Sequence, residues 1–127
     1  MTSHAFDQKP TLSLISDKAN IVIERCDLLH ELSSLKLSCI PRCDGPPFQL
    51  IYYWRKQITS AKQRLIHHLN KLPFVPNICV PCYSSKLHQA ICRLAEAAAR
   101  YAAFVLKVLY NANVGCATSN IYSQLLY

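Results

Sequence analysis

Six of the chain's seven prolines fall in two short stretches, CIPRCDGPPF (39–48) and PFVPNICVPC (73–82). A proline cannot donate the hydrogen bond that a helix interior or a central strand needs, and it pushes the residue before it out of the helical region. These stretches are therefore breaks, and they divide the chain into three long segments. In the first, Ile15, Ala19, Val22, Cys26, Leu29 and Leu32 or Ser33 recur at helical steps, which predicts a helix starting at Asp17 or as early as Thr11 and ending near Leu37. In the second, Ile51, Trp54, Ile58, Ala61, Leu65, Leu69 and Leu72 form one apolar stripe, predicting a helix from about Phe48 to Leu72. In the third, Leu87, Ile91, Leu94, Ala98, Tyr101, Val105 and Leu109 predict a helix capped by Ser84 or Ser85 and running to about Tyr110. Asn111, Asn113 and Gly115 read as its stop signal, and SNIYSQLLY as a short final turn or helix.

The expected fold is all-α: a compact bundle of three main helices joined by loops rich in proline and cysteine. Residues 1–10 read as a flexible polar arm and residues 11–127 as one domain. Only two glycines are present and no long Val, Ile or Thr alternation, which argues against a sheet protein with many tight turns. The N-terminus lacks a basic segment followed by an uninterrupted apolar run, and LAEAAARYAAFVLKVLY carries Glu96, Arg100 and Lys107. The expectation is a soluble chain in a reducing intracellular compartment, where its seven cysteines are thiols or metal ligands rather than disulfides.

Cysteine and histidine fall into two groups of four: Cys26, His30, Cys39 and Cys43, and Cys79, Cys82, His88 and Cys92. Three thiolates and one imidazole are a common tetrahedral zinc set. Cys26 with His30, and His88 with Cys92, lie four apart, on one side of a helix. The expectation is one or two structural zinc ions, held either by these two local sites or by one shared site from Cys39, Cys43, Cys79 and Cys82. Cys116 has no partner in either scheme. The plainer reading is that Cys26 and Cys92 are small core residues and that His88 is a surface histidine. The second group resembles a retroviral-type zinc knuckle over fourteen residues, but its spacing is C-x2-C-x5-H-x3-C and the knuckle's glycine is missing, so no knuckle fold is implied.

The net charge of +7 is unevenly placed. Residues 1–50 hold five basic and six acidic side chains, whereas residues 51–127 hold nine basic ones and a single acid, Glu96. A basic half of this kind draws polyanions. Arg55, Lys56, Lys62, Arg64 and Lys71 are the candidate phosphate contacts and Tyr53 the candidate stacking ring. A solvated helix face is the simpler account of any one of these residues. No Gly-rich phosphate loop, nucleophile elbow or carboxylate pair is present, and no His-x-Glu precedes the Cys-x2-Cys, so neither an enzyme nor a small-molecule substrate is expected.

A short, basic, helical, cysteine-rich layout is similar to that of the small orphan proteins of plant RNA viruses of the kitavirid or cilevirus type. That resemblance implies a non-structural accessory protein acting in the cytoplasm or nucleus of a host cell. The expected function is a zinc-stabilised accessory protein binding RNA or single-stranded nucleic acid. The alternatives are a protein–protein interaction module or homodimeric scaffold, and attachment to an anionic membrane surface. Small residues Ala95, Ala98, Ala99, Ala102 and Ala103 mark the third helix as the expected dimer contact.

Overall fold

The computed structural model describes residues 3–40 and 46–115, with side chains over 12–40 and 48–111. Three α-helices, α1 (Ser3–Ser38), α2 (Pro46–Lys71) and α3 (Val80–Gly115), account for nearly all of it. Two single 3-10 turns, Leu72–Phe74 and Asn77–Cys79, join α2 to α3. Among the described residues there is no strand, and no helix is long and apolar enough to cross a membrane. The all-α fold expected from the two proline breaks is the one observed. Cys43, Cys116 and the SNIYSQLLY segment lie outside the described residues.

The boundaries depart from expectation at two helix starts and one helix end: α3 continues past Tyr110, through Asn111 and Asn113, to Gly115, because an asparagine lowers helix propensity without breaking a helix. α1 begins at Ser3 and passes through Pro10, so the arm expected over 1–10 is helical from its third residue. A proline there removes one intrahelical hydrogen bond, a cost of roughly 3 kcal/mol. Leu12 and Ile15, packed against the core, anchor the helix just beyond it. α3 begins at Val80 rather than at Ser84 or Ser85, because Pro81 sits in its first turn, where the missing N–H has no helical partner to lose.

α3 is the central element. It packs along both α1 and α2, which touch each other little. Its buried residues Leu87, Ala90, Leu94, Ala97, Tyr101, Val105 and Val108 recur at three- and four-residue steps and serve both neighbours. The core has two parts. At the α3 N-terminal end, Leu87, Ala90 and Leu94 pack with Ala19 and Cys26 of α1 and Leu65 of α2. At the other end, Tyr101, Val105 and Val108 pack with Leu37 of α1 and Phe48 and Ile51 of α2. α1 therefore runs parallel to α3 and α2 runs antiparallel, in an up-down-up order that puts the two proline-rich connections at opposite ends. The alanine band is divided by this arrangement. Ala97 is buried and Ala98 and Ala102 half-buried inside the bundle, whereas Ala95, Ala99 and Ala103 face solvent.

One polar chain crosses all three helices. Arg55 Nη2 of α2 donates to the Tyr101 hydroxyl of α3 at 3.0 Å. That hydroxyl bonds Ser33 Oγ of α1, and Ser33 donates in turn to the His30 carbonyl at 3.0 Å. A guanidinium only donates and a carbonyl only accepts, so the direction of every bond is set. Ser33 is buried and Tyr101 almost fully so. Ser33, rather than Leu32, is thus the inward residue of that turn.

Replacing Tyr101 with Phe keeps the ring and removes the link. The Arg55 donor then loses its acceptor inside the bundle, which should cost roughly 1–3 kcal/mol in a urea titration followed by circular dichroism. Leu94→Ala, which opens a cavity at a fully buried site, should cost roughly 2–5 kcal/mol by the same measurement.

Candidate nucleic-acid interface

The nine cations of the second half divide into two sets. Arg55 and Lys62, seven residues apart on α2, turn toward α1. Arg55 feeds the Tyr101 link and lies 5.8 Å from the Tyr52 ring centroid, and Lys62 pairs with Asp27 at 2.6 Å. They sit at the edge of the apolar stripe, and that edge is where α1 arrives. Both were expected to contact phosphate. They are instead engaged between helices.

The remaining seven, Lys56, Arg64, Lys71, Lys86, Arg93, Arg100 and Lys107, are exposed. Four of them stand on α3 at seven-residue intervals, Lys86, Arg93, Arg100 and Lys107. Successive members are about 10.5 Å apart along the helix axis and the row spans about 32 Å. Arg64 and Lys71 repeat the spacing on α2. Arg64 and Arg93 line the same open groove between the two helices, about 270 Å³ in volume, together with Trp54, Gln57, Ser60 and Glu96. Arg100 lies over the Trp54 ring at 5.2 Å and pairs with Glu96 at 3.2 Å, so the lone acid of this half is already partnered. Tyr53 is exposed and meets Trp54 edge-on, with centroids 5.2 Å apart. The α3 row was not among the residues expected from the sequence. Its signal was the repeat of Lys or Arg every seventh residue, which the division into apolar stripes passed over.

The field of these cations reaches His68. Its pKa lies below the ordinary imidazole value, first because the ring is partly desolvated and then because His67, Lys86, Lys71 and Arg64 all disfavour a further positive charge. The ring also packs edge-on against Tyr83, whose hydroxyl donates to the His68 carbonyl at 2.5 Å.

The thiols are dispersed. Among the described residues no three of His, Cys, Asp and Glu come together as a metal set. The helical rise explains why. Cys26 lies within α1 and Cys39 just beyond its end, thirteen residues on, or about 19 Å along the axis. Cys82 and Cys92 both lie within α3, ten residues and about 15 Å apart. Thiolates sharing one zinc ion each sit about 2.3 Å from it, so neither expected local set closes without breaking its helix. The expected shared site fares no better. Cys39 is at the end of the bundle where α1 meets α2, and Cys79 and Cys82 are at the opposite end. The four-apart pairs do face one way: Cys92 Sγ is 3.7 Å from His88 Nε2, and Cys26 and His30 line one cleft between α1 and α2. Cys26 itself is a core residue, and burial, with Asp27 beside it, pushes its thiol pKa up.

No family model matches the chain, nor does any curated protein or solved structure.

Two measurements follow from these positions. Thiol alkylation read by peptide mapping should modify Cys39, Cys79, Cys82 and Cys92 quickly and Cys26 only on unfolding, because the first four are exposed and Cys26 is buried with a raised pKa. His68 adds a pH dependence. Its folded pKa is lowered, so the unfolded chain binds the proton more readily. Stability should hold above the ordinary imidazole pKa of about 6.5 and fall as pH drops through it toward the lower folded value. His68→Gln should flatten that part of the profile.

Proposed function

We propose that this protein binds RNA or single-stranded nucleic acid along the α2–α3 face. The observation that carries the reading is the seven-residue row Lys86, Arg93, Arg100 and Lys107, set beside Arg64 and Lys71 across an open groove. Cations at regular intervals on a rigid helix suit a polymer of phosphates, because each contact releases condensed counterions. Arg64 and Arg93, on opposite walls of the groove, hold the backbone, and Lys71 and Lys86 extend the track toward the 72–79 connection. Tyr53 offers an exposed ring for a base, and Trp54 under Arg100 braces it edge-on. Arg55 and Lys62 take no part, since both are committed to holding α2 against its neighbours. The reading does not rest on a bound metal. It assigns no sequence preference, because the face presents charge and rings rather than a fixed pattern of donors to base edges.

Fluorescence anisotropy with a labelled unstructured oligonucleotide tests it. Binding should fall with salt at a log–log slope of about −0.7 per phosphate contact. Arg64→Glu combined with Arg93→Glu should weaken binding by roughly tenfold or more while circular dichroism is unchanged, both residues being exposed. No binding at low salt, or full affinity in the double variant, would end the nucleic-acid reading. Binding to a protein partner that persists at moderate salt would point instead to an interaction module.

A further inference from the structure

α1 is apolar on two sides. One side is the core seam already described, Leu12, Ile15, Ala19, Val22, Cys26, Leu29, Ser33 and Leu37. The other side faces solvent. It carries Leu14, Ile21, Leu28 and Leu35, spaced every seventh residue, with Leu32 between the last two, and each is 47–67 % exposed. An amphipathic helix of a three-helix bundle needs only one apolar seam, and scattered surface leucines do not keep a seven-residue register over three heptads. Such a row supplies one of the two apolar positions that each heptad of a two-helix coil turns to its partner, and Leu32 supplies the second in the last heptad.

The charges beside this seam identify what fits it. Along one edge run Asp17, Glu24 and Glu31, again every seventh residue, and along the other run Lys18 and Arg25. All five are exposed. A two-fold axis parallel to the helix sets the acidic edge of one copy against the basic edge of the other. A two-fold axis perpendicular to the helix sets acid against acid and base against base. We propose that two copies of this chain associate through α1, side by side and in parallel, with Leu14, Ile21, Leu28 and Leu35 each meeting its own counterpart. The ladder spans about 32 Å and lies on α1, apart from the α2–α3 groove, so the pairing is independent of the nucleic-acid reading. It also differs from a contact through the α3 alanines, part of which already lie inside the bundle.

Sedimentation equilibrium of the full chain should give twice 14.4 kDa at high micromolar concentration. Ile21→Asp with Leu28→Asp should raise the dimer dissociation constant by roughly thirtyfold or more. Both side chains are solvent-facing in the single bundle, so helicity should be retained. Orientation is read from Leu14→Cys. In the parallel pair, mild oxidation should join two copies through residue 14, identified by mapping of the linked peptide. In an antiparallel pair residue 14 lies opposite Leu35 and that link cannot close. A wild-type chain that stays monomeric, or a double variant that still pairs, would overturn the proposal. A dimer without the residue-14 link would overturn its parallel arrangement.

Discussion

The Arg55–Tyr101–Ser33–His30 chain of hydrogen bonds ties together three helices whose register apolar packing specifies less strictly. Apolar seams accept residues of similar volume and lose uniqueness before they lose stability, so they specify helix register less strictly than directed bonds do. This polar chain is directed. Its donor end is a guanidinium, its acceptor end is a backbone carbonyl, and the two hydroxyls between them have no spare geometry. Shifting any helix by one turn would strand a buried polar group. The register that results aligns α2 with α3, and the exposed groove follows from that alignment. Arg64 faces Arg93, and Trp54 comes under Arg100.

The central placement of α3 divides the labour of the surface. Because α3 sits between the other two helices, α1 and α2 are each covered on one side only. α2 meets solvent with cations and tyrosines, and α1 with leucines and alternating charge. The lysines and arginines that fall nearest the α1–α2 boundary, Lys62 and Arg55, are taken up by Asp27 and Tyr101. Total charge is therefore a poor guide to the charge a partner would meet.

The three helices were legible because proline and period speak directly to backbone geometry. Ile51, Leu65, Leu87 and Leu94 were all expected inside, and all are buried. The helix starts were less legible. Pro81 reads as a breaker in isolation, yet in a first turn it costs nothing, and the only cue separating the two cases is where the turn begins. The described residues do not bring the expected cysteine sets together, and the reason is geometric. Three helices in up-down-up order place successive connections at opposite ends, so Cys39 and Cys79 cannot meet. A straight helix equally keeps Cys82 from Cys92. Arg55 and Lys62 stand at the edge of the α2 apolar stripe in the sequence, but only the arrival of α1 gives that edge its partners.

Trp54 is the one tryptophan of the chain, and it lies in the α2–α3 groove with the Arg100 guanidinium over its ring. The indole emission of the whole protein therefore originates at a single point, with a positive charge 5.2 Å from the ring centroid. Whatever draws Arg100 or Glu96 away, or stacks near the indole, registers as a change in colour and intensity with no added label. The molecule thus carries its own optical gauge at the groove, and the leucine seam of α1 leaves that gauge untouched.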